Sequence, residues 1–124
     1  MLKNGMRAEG TIVLQVAADH TNGTDGHVSI HIEAPGVEGY VLGRSGDGSS
    51  YQPDIDLAPF DAQRKGISRR HAVLLRYRGV IHILDLGSMN GTFVNGRRLI
   101  AEVPQPLQAG DELRLAGLAL FIAQ

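Results

Sequence analysis

Three short polar clusters in this sequence carry side chains that suit the binding of an anion. They are Gly43-Arg44-Ser45, Ser68-Arg69-Arg70-His71 and Ser88-Met89-Asn90-Gly91-Thr92. Arg44 offers a rigid fork of N–H donors, which is the geometry that bidentate contact with an anion needs. Ser68 offers a hydroxyl group, and the Asn90 amide can both donate and accept, as holding a peptide main chain requires. The shared chemistry is therefore cationic and rich in hydrogen-bond donors.

The charge distribution along the chain favours the same chemistry. The formal net charge is -1, but residues 1–61 carry nine acids and three bases, whereas residues 62–124 carry four acids and nine bases. No acid lies between Asp61 and Asp85, while six bases do. A basic cluster of this kind attracts anions, of which nucleic acid is one. Weak overall acidity and only six aromatic residues disfavour nucleic acid, and we expect no nucleic-acid partner.

Catalytic and metal-binding interpretations find little support in the residue spacing. Ser68, His71 and Asp85 invite comparison with a hydrolytic triad, but Ser68 and His71 are too close in one loop for that geometry. The five histidines lack zinc spacing, and the chain has no cysteine. A cation held by the acidic residues and histidines of the 17–27 loop is a weaker alternative than a plain polar loop. We expect no enzyme activity, no metal and no cofactor.

Short apolar segments separated by turn residues predict an all-β protein. The segments alternate or run for four to seven residues, and none keeps a helical period. About ten strands result, including 11–16, 28–32 with Val28 facing inward, 72–77 and 92–94, and we expect an antiparallel sandwich or barrel. Asn95-Gly96 predicts a type I′ hairpin turn. Pro104 and Pro106 predict a connecting loop.

Length and hydropathy predict how the chain is divided and where it acts. A chain of 124 residues supports one domain. We expect a partly disordered N-terminal extension at 1–26, with one extra strand near 11–16, and a domain at 27–124. The longest wholly apolar stretch near the C-terminus, 116–123, is too short to span a bilayer, and nothing at the N-terminus has the pattern of a signal peptide. We therefore expect a cytoplasmic protein without a membrane partner.

Taken together and in order, the clusters resemble the forkhead-associated (FHA) domain family. The resemblance lies in Leu42-Gly43-Arg44, in Ile67-Ser68-Arg69-Arg70-His71-Ala72, and in the run from Asp85 to Gly96 that contains Asn90-Gly91-Thr92. The segment 110–115 is also similar to the family's final hairpin. Membership implies an FHA/SMAD-like antiparallel β-sandwich of about 11 strands, whose functional loops lie at one end and bind phosphothreonine peptides.

The resemblance also implies a role for each matching residue. Arg44 would hold the phosphate, Ser68 would bond a second phosphate oxygen, Arg69 would touch peptide or phosphate, and Asn90 would bind the peptide main chain. Four further residues would be structural at the site: Gly43, His71, Gly91 and Thr92. Met89 departs from the family, which often has threonine or serine there, so any phosphate contact at that position must come from the main chain.

Two interpretations of function remain open from the sequence. The first is a phosphothreonine-dependent module of Ser/Thr-kinase signalling, whose partner is a phosphothreonine-containing protein or peptide, such as a kinase or its substrate. The second is an FHA-fold assembly domain that binds partners independently of phosphate. The basic stretch 64–70 further predicts a shallow preference for acidic residues after the phosphothreonine, and a hydrophobic preference at the third position after it is the alternative.

Overall fold

The computed structural model describes residues 5–17, 27–46 and 48–124, and nearly all regular structure in them is β. The strands are β1 (Thr11–Ala17), β2 (His27–Glu33), β3 (Tyr40–Gly43), β4 (Ile55–Asp56), β5 (Arg70–Tyr77), β6 (Val80–Asp85), β7 (Thr92–Val94), β8 (Arg97–Arg98), β9 (Gln105–Pro106), β10 (Glu112–Leu115) and β11 (Leu118–Ala123). One 3₁₀ turn, Ala58–Phe60, follows β4. No helix among the described residues is long and apolar enough to cross a bilayer.

The strands form two sheets that pack face to face as a sandwich. One sheet has six strands in the order β2-β1-β11-β10-β7-β8, and the other has five in the order β4-β3-β5-β6-β9. The predicted all-β sandwich fold is confirmed. All neighbours pair antiparallel except β3 and β4, which pair in parallel. A two-residue strand that follows a long loop can pair with its neighbour in either direction. Sequence alternation therefore did not distinguish parallel from antiparallel pairing for β4.

Alternating side chains explain how the core is made. In β1 the residues Ile12, Leu14 and Val16 are buried, while the residues between them face outward. Leu113 and Leu115 of β10 and Leu74 of β5 fill the space between the sheets. Because successive side chains of a strand point to opposite faces, each sheet buries one face and leaves the other to solvent.

One prediction about an individual segment was wrong, and a second holds only in part. The loop expected at Pro104 and Pro106 contains the short strand β9, which pairs with β6 at the edge of its sheet. Proline is tolerated there because an edge strand has one side without ladder partners. Val28 lies opposite the buried Val16 and so on the inner face, as expected, but it is 46% exposed because β2 is an edge strand with no neighbour beyond it.

The N-terminal segment contributes to the sandwich. The predicted strand near 11–16 is present as β1, which lies between β2 and β11 rather than at an edge. Met6 is buried and its N–H donates to the carbonyl of Leu107. Residues 1–4 and 18–26 lie outside the described residues, and the partial disorder expected within 1–26 stays a prediction. The division into 1–26 and 27–124 stays a prediction.

The register of the strands places the polar clusters at one end of the sandwich. Gly43 pairs with Arg70, so β3 ends where β5 begins, and Ala72 pairs with Asp85, where β6 ends. The hairpin turns at Arg78-Gly79 and Asn95-Gly96 lie at the opposite end. Both residues of Asn95-Gly96 have positive φ, at 50° and 84°, as the predicted type I′ turn requires.

Candidate functional site

Arg44 is anchored on the loop that precedes β5. Its Nε donates to the carbonyl of Ile67 at 2.7 Å, and its main-chain N–H donates to the carbonyl of Arg69 at 3.2 Å. A Cβ at Gly43 would overlap that same Arg69 carbonyl. Only glycine lets the two chains come this close, so Gly43 sets the position from which Arg44 projects.

Asp56, at the end of β4, fastens the other side of the Arg44 loop. The N–H and hydroxyl of Ser45 both donate to its carboxylate, and the N–H of Ala58 donates to it as well. Burial raises the pKa of Asp56, but the hydrogen bonds from Ser45 and Ala58 outweigh it, and the pKa lies below its usual value. Asp56 therefore holds the loop as an ionised acceptor.

His71 joins the second cluster to the third. Its Nδ1 accepts from the N–H of Ser68 at 3.0 Å, and its Nε2 donates to the carbonyl of Gly91 at 2.9 Å. The ring is fully buried. Burial lowers the pKa of His71 and outweighs the opposing effects of the Gly91 carbonyl and the Asp85 charge. A neutral imidazole thus bridges two loops that are 20 residues apart.

The same contacts argue against a nucleophile–base pair. The nitrogen of His71 nearest Ser68 accepts from the serine's main chain, and the other nitrogen contacts a carbonyl. General-base activation of a serine needs the hydroxyl within hydrogen-bond reach of a ring nitrogen. Within the described residues there is also no group of three or more potential metal ligands. The weak cation site considered above in the 17–27 loop would use Asp19, His20, Asp25 and His27, of which the first three lie outside those residues.

Asp85 organises the third cluster from beneath. Its carboxylate accepts from the hydroxyls of Ser88 and Thr92, at 2.6 and 2.7 Å, and from the N–H groups of Gly87 and Ser88. Burial raises its pKa, but these bonds outweigh burial and the pKa of Asp85 is lowered. Thr92, fully buried, is one of its donors. The turn that carries Asn90 is therefore built around a single buried carboxylate.

Asn90 and Met89 form the exposed rim of that turn. The Nδ2 of Asn90 donates to the carbonyl of Gly66 at 2.9 Å, so the amide reaches across to the loop that carries Ser68. The Met89 side chain is 84% exposed, and its main-chain N–H approaches the Ser68 hydroxyl at 3.5 Å. The Met89 contact to this site thus comes from the main chain.

The arrangement brings three of the four predicted binding residues into one hydrogen-bonded cluster: Arg44, Ser68 and Asn90. The Arg69 side chain is exposed on the same loop, and its carbonyl accepts from the Arg44 N–H. The four residues predicted to be structural surround them, since Gly43 and His71 pack beneath Arg44 and Ser68, and Gly91 and Thr92 beneath Asn90. Chemically, the cluster places a guanidinium, a hydroxyl and an amide around one surface.

Sequence analysis missed three contributors to this site. Asp85 was considered only as a triad member, and Asp56 and Gly66 were given no role at the site. The spacing Asp85-x-x-Ser88 is the local signature of a side chain capping its own turn and was readable. The hydrogen bonds from Ser45 to Asp56 and from Asn90 to Gly66 join segments that are distant in the sequence, so no local sequence pattern predicts them.

Comparisons with known proteins agree with this geometry. The sequence model of the FHA domain matches residues 40–116. An oxoglutarate dehydrogenase inhibitor of Corynebacterium diphtheriae is 33% identical over 85 residues, 68% of this chain and 55% of that protein. A homologue of a protein phosphatase 1 regulatory inhibitor subunit from Arabidopsis thaliana is 40% identical over 58 residues, 46% of this chain and 16% of that protein. The chain thus spans about half, or less, of these relatives' length.

A solved structure supports the same conclusion at the level of the fold. Mycobacterium tuberculosis EmbR, in complex with a low-affinity phosphopeptide, superposes with a TM-score of 0.59 at 26% identity, covering 90% of this chain and 24% of that one. The sequence match covers the strands and loops that build the Arg44, Ser68 and Asn90 cluster. The chain belongs to the FHA domain family, whose members are non-catalytic phosphothreonine-binding modules.

Proposed function

We propose that this chain is a phosphothreonine-dependent peptide-binding module of Ser/Thr-kinase signalling, that it is not an enzyme, and that it works in the cytoplasm. The observation that carries the proposal is the convergence of three separate loops on one surface. Arg44 bonds to Ile67, Ser68 contacts the Met89 N–H, and Asn90 bonds to Gly66. Preorganised donors of this kind suit a ligand that carries concentrated negative charge.

Arg44 supplies the charge for phosphate binding in this proposal. Its Nε is engaged by the Ile67 carbonyl, which fixes the plane of the guanidinium. The terminal nitrogens of such a fixed group form the fork that matches two phosphate oxygens. A phosphothreonine carries a charge of about -1.5 to -2 near neutral pH. Each charge-assisted hydrogen bond contributes roughly 1.5–3 kcal/mol.

Ser68 and the main chain of Met89 would bind the remaining phosphate oxygens. The long 3.5 Å contact between the Met89 N–H and the Ser68 hydroxyl leaves both groups able to turn toward an arriving anion. A phosphate oxygen accepting from both would replace this weak contact with two stronger ones. The missing hydroxyl at position 89 would then weaken binding without abolishing it.

Asn90 would hold the peptide main chain beside the phosphothreonine. One hydrogen of its Nδ2 is used by the Gly66 carbonyl, and this bond orients the amide. The amide oxygen can then accept from the N–H, and the second Nδ2 hydrogen can donate to the C=O, of one residue of an extended peptide. Arg69, exposed on the neighbouring loop, lies where it can contact the peptide or the phosphate.

The proposed partner is a phosphothreonine-containing protein, either a Ser/Thr kinase or one of its substrates. Support comes from the M. tuberculosis relative, which was solved with a phosphopeptide. The Corynebacterium relative is an inhibitor of an enzyme, which is a task carried out by binding a protein. We propose no cofactor and no nucleic-acid or membrane partner.

A peptide titration tests the proposal directly. One degenerate peptide library would be prepared with phosphothreonine or threonine at the fixed position and titrated against wild type, Arg44→Ala and Arg76→Ala. Arg76→Ala is the matched control. Arg76 is exposed and lies at the opposite end of β5, and its substitution removes the same charge. We expect binding of the phosphorylated library only, weakened at least about tenfold by Arg44→Ala and unchanged by Arg76→Ala, because one lost charge-assisted bond exceeds 1.4 kcal/mol.

Three outcomes would contradict the proposal. Equal binding of both libraries would favour the phosphate-independent assembly domain. Phosphopeptide binding that is unchanged in Arg44→Ala would place the phosphate elsewhere. Tighter binding of a random DNA duplex than of the phosphorylated library would indicate a nucleic-acid module.

A further inference from the structure

Two arginines flank one aromatic ring on the outer face of the six-stranded sheet. Phe93 of β7 pairs with Arg98 of β8 on one side and with Arg114 of β10 on the other. The Arg114 guanidinium carbon lies 4.3 Å from the Phe93 ring centroid, and that of Arg98 lies 5.9 Å from it. Both distances fall within cation–π range. We call these three residues the Arg98–Phe93–Arg114 surface.

No neighbouring carboxylate neutralises this surface in the described part of the chain. Neither Arg98 nor Arg114 forms an ion pair there, although Arg114 donates to the carbonyl of Ala116 at 3.3 Å. Glu112 lies on the same face two residues before Arg114 but is not paired with it. Two cations held against one ring create a local positive potential that attracts an anion.

This surface adjoins the proposed peptide site. A Cβ built on Gly91 would lie 2.8 Å from the Nε of Arg98 and 3.1 Å from the Phe93 ring. The Arg98 guanidinium therefore rests against the residue that follows Asn90. Consecutive Cα atoms of a peptide are 3.8 Å apart, so a chain held at Asn90 brings a side chain within reach of Arg98 one to three residues away.

We propose that the Arg98–Phe93–Arg114 surface is a second subsite that binds an acidic side chain of the same phosphopeptide. This inference rests on the proposed function, because Asn90 must hold the peptide for the subsite to be reached. Charge complementarity selects a carboxylate, since two guanidinium groups are held against one ring. The subsite is distinct from the basic stretch 64–70, in which Arg64 is already paired with Asp61.

An aspartate scan of a phosphothreonine peptide tests the subsite. The parent is an alanine–glycine peptide with one phosphothreonine, and single Asp residues are placed at each of the four positions on either side. The proteins are wild type, Arg98→Gln, Arg114→Gln and Arg97→Gln. Arg97 is the matched control, since it neighbours Arg98 on β8 but pairs with Val94 and projects to the other face. Glutamine removes the charge while keeping part of the aliphatic stem.

We expect one or two Asp positions to raise wild-type affinity about two- to fivefold at low salt, because exposed charge pairs are weak and screened. Arg98→Gln should abolish this gain, Arg114→Gln should reduce it, and Arg97→Gln should preserve it. Binding of the parent peptide should stay unchanged in all three variants, and this separates failure of the subsite from failure of phosphothreonine binding.

Three results would overturn the subsite. The first is that no Asp position raises affinity while the parent binds. The second is a gain that survives Arg98→Gln and therefore belongs to the basic stretch 64–70. The third is that Arg97→Gln abolishes the increase in affinity as well, which would mean that the effect depends only on the overall charge of the protein. If neither the parent nor any Asp peptide binds, the subsite and the proposed function fall together.

Discussion

The two ends of the sandwich use glycine for different purposes. At the end that carries Arg44, a Cβ on Gly43 would overlap Arg69, one on Gly66 would lie 2.7 Å from the Asn90 amide, and one on Gly91 would lie 2.8 Å from Arg98. At the opposite end are turn glycines with no atom within 4 Å of an added Cβ: Gly36, Gly79, Gly96 and Gly110. Close approaches occur at the opposite end as well, since a Cβ on Gly39 would overlap the Leu74 carbonyl and one on Gly5 would lie 2.5 Å from the Val80 side chain. There the crowded glycines lie beside strands, whereas at the site end they join the loops that carry the predicted binding residues.

This difference explains how a small domain can hold exposed polar groups in fixed positions. Loops alone are mobile, and a side chain on one loop is poorly placed relative to a side chain on another. Close backbone approach at Gly43 and the buried bridge of His71 between Ser68 and Gly91 couple the loops to each other. The site end is therefore a single unit, and its parts should fail together.

The largest expected effect comes from adding a Cβ atom at Gly43, where two segments of main chain approach most closely. Gly43→Ala should destabilise the domain by about 3 kcal/mol or more and abolish phosphopeptide binding, because β3 and the Ser68 loop must separate. Gly36→Ala is the matched control: neither glycine has positive φ, and Gly36 has open space. Urea unfolding of both variants measures the difference. Equal midpoints for the two variants would show that the contact at Gly43 is not tight.

The next effect concerns the buried bridge. His71→Ala should cost about 1–3 kcal/mol, since it leaves the Ser68 N–H and the Gly91 carbonyl without their partner, and it should weaken binding as well. Chemical denaturation combined with peptide titration measures both. A fully stable variant with normal affinity would contradict the bridging role.

Lowering the pH should also test the role of His71. The pKa of His71 is lower in the folded state than its ordinary value of 6.5, so the unfolded chain binds more protons below that value. Stability should therefore fall as the pH drops through 6.5, and this part of the fall should be missing in His71→Ala. A second fall below about pH 4 should remain, because the carboxylates of Asp56 and Asp85 have lowered pKa values and lose their folded-state advantage on protonation.

A smaller effect distinguishes a loss of peptide affinity from a loss of folding stability. Gly66→Ala should displace the Asn90 amide and weaken phosphopeptide binding about tenfold, which is the loss of one oriented hydrogen bond of about 1.4 kcal/mol. Gly110→Ala is matched for backbone strain, because its φ is 94° against 87° at Gly66, yet its Cβ meets nothing. Both should lose similar stability, as measured by thermal unfolding. Equal affinity of the two variants for the phosphopeptide would show that the Asn90 amide does not contribute to binding.

The smallest effect tests the ligand itself. Phosphothreonine should bind more tightly than phosphoserine, by at least about fourfold, because burying one methyl-sized group contributes roughly 0.8 kcal/mol. Matched peptides that differ only in that methyl group measure the preference. Identical dissociation constants would mean that the site end has no niche for it.

Much of the opposite end could be predicted from sequence, and less of the site end could. Asn95-Gly96 is a local turn, so the preference of that dipeptide for a hairpin was sufficient. The candidate site residues were proposed because their types, in their order along the chain, resemble the FHA family. Their coupling was not readable, because His71 reaches Gly91 and Asn90 reaches Gly66 across 20 and 24 residues. The strand β9 was not predicted because its two residues, one of them a proline, are too few to show a period.

The central claim is that phosphopeptide binding occurs where the loops press together, and glycine amides report on both ends in one spectrum. Protein labelled with ¹⁵N only at glycine would be titrated with the tightest phosphothreonine peptide from the library and with its unphosphorylated form. We predict that the amide signals of Gly43, Gly66 and Gly91 shift with the phosphorylated peptide alone, while those of Gly36, Gly79, Gly96 and Gly110 stay in place. Shifts confined to the second group, or equal shifts with the unphosphorylated peptide, would contradict the claim.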